Sequence, residues 1–569
     1  MSSSPDRTLV VMLHGFASSP HRLAQVRSAI TQYIQDADFL VPQLPTGRLS
    51  AIRPQKIAKD LIEAIDQKVR DSNPKSVLFV GHSFGALLAR EVYLAANAVG
   101  PSDGSKIYPD QPLTWASQVK RIVLLAAMSR GWRVSHSTGR WRAILYSAGA
   151  FIGSIIEFVT GKKLLIMTAR RGGTFVTDLR VRWSRFQQQS SRSGTSLPMV
   201  VQLLGTVDDV VSPDDNVDLF AGADFHYLEV PHTGHRTILD LCDLRDGPAR
   251  RELLKTALVD PREDVAVRSL RLGGDPLPET RTVTDVLFVL HGIRDYGFWT
   301  SRLARRVEQH GRLARRAFAT EAGTYGYFGM GPFLLPGERR QKVEWFMDRY
   351  ADFVSQHPDA RLHFIGHSHG TYVAASALRD YQCCAFDSVV FTGSVVPRGY
   401  KWKERIDNKQ CARVLNYVAT RDWVVAWFPS LFEFLRRIPL VQYLVMRQDL
   451  GGAGHFGFDK PNTDLPVHNV RWVTGGHGAA LAEVHWDRMA RFIIDGQVPE
   501  PDPEATRQNH LIRTIAHFPP LVWAFAAGTV GYGAWWIGGS LEVEAIPAAL
   551  IGAAMVLYVG LLRFILVRF

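Results

Sequence analysis

Cysteine is scarce in this chain of 569 residues, with four in all: Cys242, Cys383, Cys384 and Cys411. Their spacing fits neither a zinc-ligand pattern nor a disulfide framework, which excludes a stapled secreted scaffold and points to reduced thiols in a cytosolic compartment. No phosphate loop and no cluster of metal-ligating residues stands out, so no cofactor and no metal is expected. No cleaved secretory leader is expected either. Met1-Ser2-Ser3-Ser4-Pro5-Asp6-Arg7 runs straight into an apolar strand, without a charged segment followed by an apolar one. Long basic tracts are absent too. The 66 Lys and Arg exceed the 54 Asp and Glu, giving +12, but they stand in short pairs such as Arg305-Arg306 and Arg436-Arg437. With no recognised nucleic-acid motif beside them, nucleic acid is not an expected partner, and the excess charge suits an acidic lipid surface better.

What is present is a repeated alternation of short apolar runs and helical patterns. The runs Thr8–Leu13, Ser76–Val80, Arg121–Ala127 and Met199–Leu204 end in glycine or polar residues, as buried strands of a parallel sheet do. Between them, Gln55–Val69 and Ala86–Ala96 have helical spacing. The order recurs in Thr284–Leu290, Arg361–Ile365, Ser388–Thr392, Arg413–Val418 and Val470–Val473. An offset of about 280 residues is the period of a whole domain. The hydrophobic fraction, 46%, is enough for each domain to bury a core. The expected fold is therefore α/β, with two tandem domains of mostly parallel sheet and helices on both faces.

Residues 1–260 form the first expected domain, with a cap insertion at about 131–197; 261–282 is a polar linker. Residues 283–498 form the second, with a cap insertion at about 423–468, and 499–517 is a second linker. The remainder, 518–569, reads as a transmembrane helical hairpin. Leu521–Gly539 holds no charge and Ala545–Val567 holds only Arg563; each is about 20 residues, long enough to span a bilayer. Arg507, Arg513 and Arg568 flank the spans, and Glu542 and Glu544 lie between them. By the positive-inside rule both large domains are expected in the cytoplasm, with the lipid bilayer as a partner.

Gly81-His82-Ser83-Phe84-Gly85 sits between a strand and a helix, the setting of a nucleophile elbow, where flanking glycines allow a turn that lifts the serine oxygen off the sheet edge. A serine nucleophile needs a base, an acid to orient that base, and amides for the oxyanion. Asp208 follows a later strand in Gly205-Thr206-Val207-Asp208-Asp209, with Asp209 as the near alternative. Val230-Pro231-His232-Thr233-Gly234-His235 offers two histidines, of which His235 is favoured as base. The oxyanion donors are expected to be the amides of Phe16 and Phe84. The second half repeats the set: Ser368 in Gly366-His367-Ser368-His369-Gly370, Asp422 as acid, His477 as base with His455 and His485 as fallbacks, and Ile293 and His369 as oxyanion donors.

The segments LHGF, GHSFG, GTVDDVVSP and HTGH resemble the α/β-hydrolase superfamily, especially its lipases and esterases, over essentially all of residues 1–260. The second half resembles it over about 283–498. The resemblance implies a serine hydrolase working through an acyl-enzyme. Apolar stretches at Trp141–Met167, Thr324–Pro336 and Trp423–Met446 suit a hydrophobic ester or acyl substrate. A peptidase, amidase or thioesterase on the same triad stays open, as does a non-catalytic scaffold that binds lipid or a partner.

Overall fold

The computed structural model describes residues 7–132, 163–208, 218, 224–270, 283–293, 295, 297–322, 328–329, 333, 336–439, 449–459, 465–502, 508–517, 519–525, 528–529 and 532. The chain forms two compact units. The first comprises 1–286 with 337–361 and 376–385, and the second comprises 287–336, 362–375 and 386–569.

The first unit is built on six strands: β1 Thr8–Leu13, β2 Ala37–Leu40, β3 Ser76–His82, β4 Val119–Leu125, β5 Met199–Gly205 and β6 Phe225–Val230. They lie in the order β2-β1-β3-β4-β5-β6, and every neighbouring pair is parallel. Alternation along the strands divides the core between two faces. Leu9, Val11, Leu13, Val77 and Phe79 pack with helices Pro54–Ser72 and Phe84–Ala96 on one side. Val10, Met12, Leu78 and Val80 pack with helices Ala24–Tyr33 and Gly247–Val259 on the other. Both faces are thus covered, as a parallel sheet requires. The segment just after β4 is tied down by charge: Arg130 donates to Asp348 and Asp352 at 2.9 and 2.8 Å, and Arg180 reaches the same two carboxylates at 2.9 and 2.6 Å.

The second unit carries the same strand order. Its strands are β7 Asp285–Leu290, β8 Phe318–Glu321, β9 Arg361–His367, β10 Phe386–Thr392, β11 Cys411–Ala419 and β12 Val467–Val473. They are ordered β8-β7-β9-β10-β11-β12, with β9 to β12 pairing in parallel. Leu287, Val289, Ile365, Val390, Leu415 and Val470 pack with helices Thr300–Leu313 and Trp486–Asp495. Ahead of helix Trp486–Asp495, Ala482 is extended at ψ 140° and separates two short 3-10 turns, Ala479–Leu481 and Glu483–His485.

The C-terminal membrane hairpin is not supported. Among the described residues no helix is long and apolar enough to cross a membrane. In the described part of the first expected span, the Trp523 indole N–H donates to the Trp427 carbonyl at 3.2 Å, and its ring lies 5.8 Å from that of Phe428. A run read as lipid-facing from hydropathy therefore has a protein partner at Trp523. The rest of that span and the whole of the second, 545–567, lie outside the described residues.

Candidate active sites

β3 delivers Ser83 to the C-terminal edge of the first sheet, and helix Phe84–Ala96 leaves immediately behind it. The turn is sharp enough to place Ser83 at φ 54°, a conformation a non-glycine residue adopts at a cost of about 1–3 kcal/mol. Small neighbours make it possible. A Cβ on Gly81 would lie 2.6 Å from Ala86 Cα, and one on Gly85 would lie 2.2 Å from the Leu13 carbonyl oxygen.

Around this elbow the structure gathers the residues singled out from the sequence. Ser83 Oγ lies 2.9 Å from His235 Nε2, and His235 Nδ1 lies 2.9 Å from Asp208 Oδ2. The carboxylate can only accept from Nδ1, which leaves the Nε2 lone pair facing the serine hydroxyl. Phe84 opens its helix, so its amide has no intrahelical acceptor. Phe16 follows a turn held by three bonds: Leu44 N–H to His14 Nε2 at 2.9 Å, Thr46 Oγ1 to the Gly15 carbonyl at 3.1 Å, and Ala17 N–H to the Thr46 carbonyl at 2.7 Å. That turn comes close to Ser83; a Cβ on Gly15 would lie 2.9 Å from Ser83 Cβ. His232 is exposed, and its amide donates to Thr206 Oγ1 at 3.0 Å. Asp209 lies outside the described residues.

Two residues that the sequence reading did not assign contact His235 or the turn that carries it. His82 Nε2–H donates to the His235 carbonyl at 2.9 Å. Arg250, itself buried, donates to Thr233 Oγ1 and the Asp240 carbonyl, both at 2.9 Å, and so braces the turn that carries His235. Neither role has a local signature; each depends on which distant loop folds against that side chain.

In the second unit Ser368 stands at φ 51° after β9, between Gly366 and Gly370. A Cβ on Gly370 would lie 2.5 Å from the Leu290 carbonyl oxygen. His477 Nδ1 meets Asp422 at 3.0 and 3.2 Å. Burial would raise the Asp422 pKa, but His477 and the Val425 amide outweigh it and hold the carboxyl below its usual value. Ile293 follows His291-Gly292 at the end of β7, and His369 opens the helix after the elbow. One contact differs from the first unit: among the described residues, Ser368 Oγ makes no hydrogen bond to His477. The two fallback histidines are elsewhere. His455 is fully buried and, among the described residues, makes no side-chain hydrogen bond, and His485 sits beside the Tyr417 ring at 6.0 Å.

Of the apolar stretches, Leu164 and Leu165 are buried, with the Leu165 amide donating to the Ser50 carbonyl at 2.7 Å. Trp423–Trp427 and Pro429–Leu435 are short helices. Residues 133–162, 323–327 and 440–448 lie outside the described residues.

Three buried imidazoles couple stability to pH. Burial pushes His82 down to about 4, with help from the charge of His235. Burial pushes His367 to about 3 and His455 to about 4. In the unfolded chain each takes a proton near 6.5, so between that pH and 4 the unfolded state binds more protons than the fold. Their contribution is complete above pH 6.5 and is lost as pH falls, at up to ~1.4 kcal/mol per pH unit for each histidine. The urea midpoint is expected to drop from pH 7 to pH 5, and His455→Leu to flatten that dependence. Equal midpoints at the two pH values would contradict this account.

No curated protein matches the chain. Among solved structures, a phospholipase, PlaB, from Legionella pneumophila is 12% identical, with 46% of this chain and 60% of that one covered at a TM-score of 0.30. The Bacillus licheniformis lipase BlEst2 is 14% identical, with 44% and 93% covered and a TM-score of 0.27. A lipase-esterase related protein from Clostridium acetobutylicum is 11% identical, with 45% and 96% covered and a TM-score of 0.27. Residues 10–244, which carry the first elbow, Asp208 and His235, match the model of the alpha/beta hydrolase family.

Proposed function

We propose that the first unit is a serine hydrolase that cleaves carboxylic esters with apolar acyl groups. The observation that carries this reading is the continuous line from Ser83 through His235 to Asp208, with both links at 2.9 Å. In the proposed reaction Ser83 Oγ attacks the acyl carbonyl as His235 Nε2 takes its proton. The negative charge that develops on the carbonyl oxygen is received by the amides of Phe84 and Phe16. His235 then hands the proton to the leaving alkoxide, and the acyl group stays on Ser83. Water, deprotonated by the same imidazole, releases the acid and restores the serine. Asp208 keeps the proton on Nδ1 throughout. Ser368, His477 and Asp422 supply the same groups for a second site of this class.

The preference for esters over amides rests on the apolar stretches in the sequence around each site, which would receive an acyl chain better than a peptide. The test is a fluorophosphonate probe on the purified chain, followed by p-nitrophenyl esters and aminoacyl p-nitroanilides in parallel. Labelling of Ser83 and faster turnover of the esters are expected. Faster anilide turnover would move the enzyme to the amidases, and an unlabelled Ser83 would leave a binding scaffold.

A further inference from the structure

The two elbows differ at the residue pair that ends the neighbouring strand. The Ser83 amide donates to the Leu125 carbonyl and the Ser368 amide to the Thr392 carbonyl, both at 3.0 Å. The registers pair His82 with Leu125 and His367 with Thr392. Leu125 and Thr392 therefore hold equivalent positions. The residues that follow, Ala126 and Gly393, share a left-handed backbone, φ 44° and 53°.

The side chains at these positions lead the bases to different places. Thr392 Oγ1 donates to the Gly366 carbonyl at 3.3 Å, and so accepts from His367 Nδ1 at 3.1 Å. Leu125 offers no acceptor, and His82 instead turns its Nε2–H to the His235 carbonyl at 2.9 Å. Where Ala126 carries a methyl, Gly393 has none, and the His477 ring lies against the place a Cβ would take. A Cβ at 393 would lie 2.8 Å from His477 Cε1 and 2.9 Å from Nδ1. The rings of His367 and His477 are 4.8 Å apart, against 5.3 Å for His82 and His235. The result appears at the nucleophile: Ser83 is hydrogen-bonded to its base, and among the described residues Ser368 has no such bond to His477.

We propose that Thr392 and Gly393 are positioning residues that hold the second site at rest, so that the chain carries one competent serine hydrolase site and one latent one. The inference rests on the reading of both elbows as serine hydrolase sites. In the resting arrangement the Ser368 hydroxyl has no imidazole to receive its proton, and attack on a carbonyl waits until His477 leaves the space beside Gly393. Ala126 shows that this fold accepts alanine at the equivalent position.

The test uses the full-length chain with Ser83→Ala, which isolates the second site. Into it go Thr392→Leu, Gly393→Ala and both together. The double change is expected to raise the rate of fluorophosphonate labelling at Ser368 and kcat on p-nitrophenyl butyrate by about tenfold or more, with KM within about twofold, because a base in contact with its nucleophile speeds the chemical step rather than binding. The reverse exchange, Leu125→Thr with Ala126→Gly in a Ser368→Ala chain, is expected to lower the same rates at Ser83 by about tenfold. A folded double variant that labels no faster than its parent overturns the proposal. Should that variant fail to fold, an unchanged Ser83 rate in the reverse exchange overturns it equally. Failure of Ser83 to label in the unaltered chain would bring down the functional reading itself, whereas failure of the exchanges alone leaves that reading standing.

Discussion

Ser83→Ala is expected to lower ester turnover by at least about 10³-fold, with no change in circular dichroism and only a small change in urea midpoint. The size follows from what the substitution removes. The oxygen at 2.9 Å from His235 Nε2 is the atom that would bond to the acyl carbon, and alanine offers no replacement. The bond between His235 and Asp208 and the amides of Phe84 and Phe16 remain, so the variant keeps the machinery that steadies an oxyanion but has nothing to generate one. Alanine also inherits the left-handed backbone that serine already tolerates at φ 54°, so the fold has little reason to change. What turnover remains belongs to Ser368, and the double variant with Ser368→Ala is expected to remove it. The measurement is kcat/KM on a p-nitrophenyl ester with active-site titration of each variant. A loss of only about half would mean two sites of equal competence, and would contradict the asymmetry between Ser83, whose hydroxyl meets His235, and Ser368, whose hydroxyl among the described residues makes no hydrogen bond to His477.

The two candidate elbows were easier to read in the sequence than the contacts around them, for reasons visible in single residues. An elbow is a local device. Two glycines around a serine, with an apolar run before and helical spacing after, are written in consecutive letters, and Ser83 and Ser368 could be named from them. The acid and the base lie more than a hundred residues further on in the first unit, yet each follows a strand, so Asp208 could be named beside Asp209 and His235 beside His232. Distances then separate the histidines: His235 meets Ser83, while His232 stays exposed three residues away. The edge strands β2 and β8 were not read, because Ala37–Leu40 and Phe318–Glu321 are four residues long and half-buried, without the unbroken apolar character of the central strands. Leu125-Ala126 and Thr392-Gly393 carry no signal of their own, because their effect depends on which strand lies alongside and where a loop from far down the chain places its histidine. Hydropathy failed at the C-terminus for a related reason. A window that averages apolar residues cannot distinguish a tryptophan facing lipid from one whose indole N–H reaches the Trp427 carbonyl.

Gly85→Ala is expected to destabilise the first unit by about 3 kcal/mol or more and to abolish labelling of Ser83, although the same change in an ordinary helix would help. Alanine is favoured over glycine in a helix interior by about 1 kcal/mol, and Gly85 lies in helix Phe84–Ala96. The added Cβ, however, would stand 2.2 Å from the Leu13 carbonyl oxygen, 2.7 Å from the Leu13 carbonyl carbon and 2.7 Å from the His14 carbonyl oxygen. These are backbone atoms at the end of β1, which is bonded to β2 on one side and β3 on the other, so they cannot rotate away as a side chain would. Overpacking against atoms that can yield costs about 1–3 kcal/mol; against a fixed strand the clash exceeds the helix gain several-fold. The helix must back off from the sheet, carrying the Phe84 amide away from the Phe16 turn, and loss of one oxyanion donor alone costs about 10²–10³ in kcat. Gly100→Ala is the control, because its Cβ would meet nothing within 4 Å; it is expected to change stability by less than about 0.5 kcal/mol. The readouts are urea midpoint, soluble yield and fluorophosphonate labelling for both variants. A Gly85→Ala protein with the midpoint and labelling rate of the parent would show that helix and strand do not meet as closely as this geometry requires, and the account of the oxyanion site would have to be rebuilt.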